Sequence, residues 1–172
     1  MLARHFEAQP GSDSLLVELH RAHDFIIQAL DWMSQLMGSS RPAQAVLREA
    51  RLTLDRASIR RELLWADILH FLSPRVGRLA RSELQRLQEI DIDLIRALSE
   101  HARAWTAETI FGDWAGYCEA WQVMRGKMIA AMETERRILY PLLRNVATQP
   151  LQIDGVDGRR AGRPPSFLRF AK

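Results

Sequence analysis

One pattern constrains this chain more than any other: from residue 13 to residue 146, apolar side chains recur every three or four positions. This spacing places them on one face of an α-helix, and no stretch of useful length alternates as a β-strand would. Four such segments are separated by short breaks that contain Gly, Pro and Ser. The sequence therefore predicts an all-α protein, whose simplest architecture is an antiparallel up-down-up-down four-helix bundle.

Local signals indicate where the first two helices begin and end. The first is predicted to begin at the cap-forming cluster of residues 12–14 and to stop near Gly38. The second follows with Pro42 in its first turn, where proline is tolerated. It should end before Ser73, because Pro74 disfavours helical geometry at the preceding residue.

The ends of the last two helices follow from similar signals. Residues 82–85, Ser-Glu-Leu-Gln, match a capping box and predict the start of the third helix. The fourth helix is predicted to start at Asp113. Pro141 lies within its apolar pattern and should kink or end it, because proline has no N–H to donate to the preceding turn.

The distribution of charge divides the chain into three parts: a flexible N-terminus at residues 1–11, the helical domain at 12–146 and a basic tail at 147–172. The tail has five basic residues and two acidic ones, so its net charge of +3 equals that of the whole chain. The helical domain is therefore neutral overall, and a surface for nucleic acid is not expected. The tail is either a solvated segment or a docking segment. Its candidate anchors are Phe167, Leu168 and Phe170.

Three further features bear on the compartment. No apolar run approaches the ~20 residues of a membrane-spanning helix, so no membrane partner is expected. The first residues lack the apolar core of a secretory signal. The single cysteine, Cys118, agrees with a reducing compartment. Together these features predict a cytoplasmic protein.

Two polar residues interrupt apolar helix faces. His23 lies in the middle of the apolar face of the first helix, and Glu135 in the middle of that of the fourth. Burying a carboxylate is costly unless it is paired, protonated or bound to a cation. Glu135 is therefore the strongest anomaly in the sequence.

The depth of these residues in a bundle connects them. At ~1.5 Å per residue, His23 and Glu135 both lie about 13 Å from the same end. The same depth is reached at Asp91 on the third helix and at Leu64 on the second, with Asp67 one turn nearer the end. A single layer could thus collect His23, Glu135, Asp91 and Asp67 as metal ligands, a set that suits iron, manganese or zinc. The open alternative is a hydrogen bond between His23 and Glu135 with no metal.

These residues resemble the haemerythrin-like, or HHE cation-binding, domain family. Residues 23–26, His-Asp-Phe-Ile, are similar to the context of the family's first histidine ligand, and residues 138–143, Ile-Leu-Tyr-Pro-Leu-Leu, resemble the end of its fourth helix. In this alignment Glu135 falls on the ligand glutamate, and Ala131 occupies the position of a ligand histidine. The resemblance implies a four-helix fold over residues 12–146.

The resemblance is closer in the helical skeleton than in the ligands. The third helix has Ile90, with Asp91 beside it, where the family has a histidine. On the second helix, the two ligand positions hold either Leu64 and Ile68 or Glu62 and Ala66, depending on how its Phe-Pro ending is aligned. An oxygen-binding di-iron centre, which the intact family implies, is therefore not expected here.

The sequence is compatible with three functions. The first is a haemerythrin-like protein with a degenerate or mononuclear cation site, holding one iron or another divalent cation or none, with a sensory or regulatory role. The second is a metal-free interaction scaffold or homodimer, suggested by aromatic residues near the third connection. These are Trp105, Phe111, Trp114 and Trp121. The third is an enzyme with Glu135 as general base, which is less favoured because the sequence has no nucleophile motif, phosphate loop or oxyanion device.

Overall fold

The computed structural model describes residues 11–38 and 40–148, and this part of the chain is helical with no strand. The prediction of an all-α protein is confirmed. The helices are α1 (Ser12–Met37), α2 (Gln44–Leu72), α3 (Arg78–Ala104), α4 (Ala107–Gly112) and α5 (Trp114–Thr148). The predicted flexible N-terminus, apart from Gly11, and the predicted basic tail beyond residue 148 lie outside the described residues. None of the described helices is both long and apolar enough to cross a membrane.

The first two helices begin and end close to the predicted positions. α1 begins at Ser12 and ends before Gly38, whose N–H donates to the Ser34 carbonyl at 3.1 Å. α2 ends at Leu72 as expected but begins at Gln44, so Pro42 precedes the helix rather than lying in its first turn.

The predicted start of the third helix was wrong by four residues. α3 begins at Arg78, directly after Gly77, which has an extended backbone and acts as the N-cap. Ser82 is already inside the helix, where its hydroxyl donates to the Leu79 carbonyl at 2.7 Å instead of accepting a cap bond. Residues 82–85, which match a capping box, therefore lie within the first two turns of α3 and do not mark its start.

The third connection contains a helix that the sequence pattern did not predict. α4 has six residues, and the hydroxyl of its N-cap residue Thr106 accepts a bond from the N–H of Thr109 at 3.3 Å. α5 then begins at Trp114, one residue after the predicted start, and continues through Pro141 to Thr148. Pro141 is exposed, so the carbonyl that lacks its N–H partner faces the solvent side of the helix.

The buried apolar residues form two clusters, one at each end of the helices. On every long helix a polar residue lies between a member of one cluster and a member of the other. The flanking pairs are Leu19 and Ile26 on α1, Leu54 and Trp65 on α2, Leu87 and Leu94 on α3, and Met132 and Leu139 on α5. The polar residues between them are His23, Arg61, Asp91 and Glu135. The fold thus places one polar layer between two apolar cores.

The packing of the long helices is uneven. α1 packs against α2 and α5, and α3 packs mainly against α5. α2 and α3 make few contacts with each other, although they border the same part of the core. Away from the Arg61–Asp91 contact, this leaves an open edge between α2 and α3, lined by residues 51–62 of α2 and 95–102 of α3.

Candidate functional site: a buried polar layer

Three polar side chains are buried in the described part of the chain, and all belong to this layer. The exposed fraction is 0% for His23, 5% for Arg61 and 3% for Glu135. They come from α1, α2 and α5 respectively. At such burial each polar atom needs a partner, because water cannot supply the missing hydrogen bonds.

The Arg61 guanidinium lies between two carboxylates. Its Nε donates to Oε2 of Glu135 at 3.1 Å, and its Nη2 donates to Oε1 of the same residue. Nη2 also donates to Oδ1 of Asp91 at 2.8 Å. The Asp91 side chain is 15% exposed and reaches the layer from α3. One guanidinium therefore joins α2 to both α5 and α3.

His23 completes the layer on the side of α1. Its Nε2 lies 2.8 Å from Oε2 of Glu135, and its Nδ1 lies 3.1 Å from the Tyr140 hydroxyl. Nε of Arg136 points to the same Nδ1 at 3.4 Å. An ionised carboxylate only accepts and a guanidinium only donates, so the network assigns the proton to Nε2 and leaves Nδ1 as an acceptor.

The hydrogen bonds continue from the layer to the surface. The Tyr140 hydroxyl lies 3.2 Å from Nδ1 of His20, whose side chain is exposed. Since this hydroxyl donates to His23, it accepts from His20. Each group therefore donates a hydrogen bond to the next one, from His20 to Tyr140, from Tyr140 to His23 and from His23 to Glu135.

The charges of the layer stabilise each other. Burial opposes the charged form of Arg61, but Glu135 and Asp91 outweigh it and raise the pKa of the guanidinium. Burial would likewise raise the pKa of Glu135, but the His23 hydrogen bond and the Arg61 charge lower it below 4.5. Glu135 is therefore ionised at neutral pH, with Arg61 as its counter-ion.

Three of the four residues singled out from the sequence lie together in the structure. Glu135 contacts His23 directly and is joined to Asp91 through Arg61. Asp67 does not join them, because its side chain is exposed. It follows Arg61 by six residues, which at 3.6 residues per turn turns it by about 120° away from the face that Arg61 occupies.

Arg61 is the residue that the sequence reasoning missed. The depth count on the second helix led to Leu64, which is only half-buried, and the alternative ligand positions Glu62 and Ala66 are exposed. A seven-residue repeat could have found it, since one position on this helix is otherwise aliphatic and buried throughout. Its members are Leu47, Leu54, Arg61 and Ile68.

The residues present do not fit a metal centre. Within residues 11–38 and 40–148, no three His, Cys, Asp or Glu side chains are grouped so as to hold a metal ion. The carboxylates of the layer instead face the guanidinium of Arg61. The cavity beside Arg61 has a volume of about 10 Å³, which is close to the minimum for one water molecule. The charged groups of the layer are therefore paired with each other, and little space is left beside Arg61.

Comparison with known proteins adds no identity to this geometry. No family model, curated protein or solved structure matches the chain. The resemblance to haemerythrin-like domains accordingly rests on the sequence motifs around His23 and Glu135.

Proposed function

We propose that this chain is a haemerythrin-like protein with a degenerate cation site, in which the Arg61 guanidinium takes the place of the metal. In this proposal it acts as a metal-free interaction module with a regulatory role and not as an oxygen carrier. The observation that carries the proposal is the position of Arg61, which donates to Glu135 and to Asp91 at once.

The proposed architecture is an antiparallel up-down-up-down bundle of the four long helices. The contacts between α1 and α5 support it. His23 pairs with Glu135, Asp31 with Arg125, and the Met37 sulfur accepts from Cys118. Residue numbers rise along α1 while those of the partners fall along α5, as antiparallel neighbours require.

Electrostatics favour the metal-free form over a mononuclear site. A divalent cation about 4 Å from a fixed guanidinium would be repelled by on the order of 8 kcal/mol at an effective dielectric constant of ~20. Arg61 cannot lose its proton to relieve this repulsion, because its pKa is raised by the same carboxylates. A metal could enter only if Arg61 left the layer and exposed the groups that it now satisfies.

An interaction role is supported by the exposed apolar side chains. The aromatic residues near the third connection pack against the core, so they do not form the expected surface. Six large aliphatic side chains are instead exposed on α2 and α3. They are Val46, Ile59, Leu63, Leu79, Ile92 and Ile95. Groups of this kind are typical of surfaces that bind a partner or a second copy.

Metal content tests the proposal directly. The full chain would be loaded anaerobically with ferrous iron, passed over a desalting column and analysed for metal per chain, beside Glu135→Ala and Arg60→Ala. Arg60 is exposed and paired with Glu18, so its variant is a matched control for the loss of an arginine. We expect no stoichiometric metal in any of the three proteins. About one iron per chain in the wild type and in Arg60→Ala, lost in Glu135→Ala, would instead establish a mononuclear cation site.

The oligomeric state tests the homodimer form of the same proposal. Sedimentation velocity over a wide range of concentrations would distinguish a monomer from a dimer. A protein that stays monomeric at the highest concentration would contradict self-association. The metal-free interaction role with a different partner would then be retained.

A further inference from the structure

The open edge between α2 and α3 forms a groove with an apolar floor. We call it the α2–α3 groove and define it by Ile59 and Glu62 on α2, Ile95 on α3, and Trp121 and Met124 on α5. These residues line a cavity of about 330 Å³. This volume lies in the range of pockets that accept ligand groups or anchoring side chains.

The rims of the groove combine exposed apolar and acidic groups. Ile59 and Ile95 both line the cavity, and they are 56% and 40% exposed respectively. Asp55 and Glu62 follow the same rim of α2 at a spacing of seven residues, and both are exposed. Arg51 lines the cavity one turn before Asp55, but its guanidinium donates to the Trp105 carbonyl at 3.1 Å, so two carboxylates and one guanidinium line this side. Neither carboxylate has an ion-pair partner among the residues that the structure describes.

The wall of the groove contains two unsatisfied nitrogens. Nε1 of Trp121 and Nε2 of His101 are buried without a hydrogen-bond partner in the described part of the chain. Both side chains line the cavity, and the exposed fraction of Trp121 is 2%. An indole N–H can only donate, so it requires an acceptor such as a backbone carbonyl.

The C-terminal segment of this chain has the complementary chemistry. Residues 159–172 contain five basic residues and no acidic one. Their apolar side chains are grouped in Ser-Phe-Leu-Arg-Phe at residues 166–170. The sequence of this segment contains aromatic side chains that suit an apolar floor, positive charges that suit carboxylates, and backbone carbonyls that could accept from an unsatisfied donor.

We propose that residues 159–172 dock in the α2–α3 groove of their own chain. In the docked form the side chains of Phe167 and Leu168 fill the apolar cavity, and Arg169 and Lys172 lie along the rim of Asp55 and Glu62. The inference rests on the interaction role proposed above, since the segment would compete with an external partner for the same groove. Docking would then regulate that role.

The chain is long enough to reach the groove. α5 ends at Thr148, and Trp121 lies 27 residues earlier, which at ~1.5 Å per residue corresponds to about 40 Å along the helix. The 19 residues from 149 to 167 can span about 63 Å when extended at ~3.3 Å each. Docking within one chain therefore needs no exchange between molecules.

Disulfide trapping in the full chain tests this placement. In a Cys118→Ser background, Leu168→Cys would be combined with Ile95→Cys in the groove or with Val17→Cys on α1. Val17 is exposed, and the start of α1 packs in the same cluster as the end of α5. The end of α5 therefore lies at the same end of the helices as Val17, so a segment without a docking site would react there at least as fast.

The expected result is an intrachain disulfide with Ile95→Cys that forms at least about tenfold faster than with Val17→Cys, because docking raises the local concentration of the thiol. Substituting Asp55→Lys and Glu62→Lys should remove most of this difference. Equal rates for the two pairs, or a rate that the two lysines do not change, would overturn the proposal. Interchain disulfides at Ile95→Cys would also overturn it and would identify a second copy as the occupant. Metal content is measured separately, so failure of the docking proposal is distinguishable from failure of the metal-free proposal.

Discussion

Arg61 and Glu135 form a two-point ion pair in the core, with Nε donating to Oε2 at 3.1 Å and Nη2 donating to Oε1. The planar guanidinium matches the carboxylate in this geometry, which a lysine ammonium could not do. The pair accounts for a glutamate on the apolar face of α5. It also links the two apolar clusters that the polar layer separates.

Removing the guanidinium should be strongly destabilising. In Arg61→Ala, Glu135 and Asp91 lose their shared counter-ion, and we expect the free energy of unfolding to fall by about 3–5 kcal/mol, as for other broken buried pairs. Urea unfolding followed by circular dichroism measures this loss. Arg60→Ala, which removes an exposed arginine, should change stability by less than about 0.5 kcal/mol. A similar loss in both variants would mean that the buried pair has no special role.

The cost of losing Arg61 should depend on the charge of Glu135. In the double variant Arg61→Met with Glu135→Gln, no glutamate charge is left unpaired, and the amide oxygen can still accept from His23. We expect the double variant to be more stable than the sum of the single effects indicates, by at least about 1 kcal/mol, because the residues are in direct contact. Additive effects in urea unfolding would contradict a direct coupling.

Stability should decrease in acid through Glu135. Its pKa in the folded protein is lowered below the ordinary value of 4.5 by His23 and Arg61, which outweigh the effect of burial. The unfolded chain then binds more protons than the folded one, so this contribution is complete above the ordinary pKa and is lost as pH falls through the lowered one. Unfolding free energies measured from pH 7 to pH 3 should show a decline that is weaker in Glu135→Gln. The exposed Glu62→Gln should retain the decline; equal pH profiles for wild type and Glu135→Gln would refute this assignment.

The helical class and the depth of the polar layer could be predicted from the sequence. Apolar periodicity depends only on helix geometry, so it predicts the helical class directly. Asp91 was placed in the layer by counting from a helix start that was four residues too late, and the structure still brings it there. His23 and Glu135 were recognisable because each is a polar residue on an apolar face. The structure contains the hydrogen bond between them, at 2.8 Å.

Arg61 and α4 could not be derived by the same reasoning. Arginine has a long apolar stem and is common on helix surfaces, so the residue type alone gives no signal in an arginine-rich helix, and only the place of Arg61 in the seven-residue repeat distinguishes it. Its burial depends on the two carboxylates that α3 and α5 bring to it, which is a tertiary effect. α4 has only six residues, too few for a recognisable helical period.

Tyr140 should donate a hydrogen bond to Nδ1 of His23. The Tyr140 hydroxyl lies 3.1 Å from Nδ1 of His23, and Glu135 accepts from Nε2, so the neutral ring should carry its proton on Nε2. Nitrogen-15 spectra of the imidazole at neutral pH should show this tautomer. Tyr140→Phe should reduce stability by about 1 kcal/mol, the value of one hydrogen bond, and shift the Nδ1 resonance. Tyr117→Phe, which alters a distant buried tyrosine, should leave that resonance unchanged; an Nδ1–H tautomer in the wild type would show that the direction of the network is reversed.

Pro141 should weaken α5 without ending it. The helix continues to Thr148, so the missing N–H of Pro141 leaves the Arg137 carbonyl without its intrahelical donor. Alanine would restore this bond, at the cost of a more flexible unfolded chain, and we expect Pro141→Ala to raise the free energy of unfolding by about 1–2 kcal/mol. Thermal and urea unfolding measure the change, with the exposed helical substitution Glu133→Ala as a control for alanine itself. If Pro141→Ala instead lowered the free energy of unfolding, the result would favour a helix that is kinked or ends at this proline. In that case the fixed backbone angle of proline would stabilise a turn, and alanine would lose this effect.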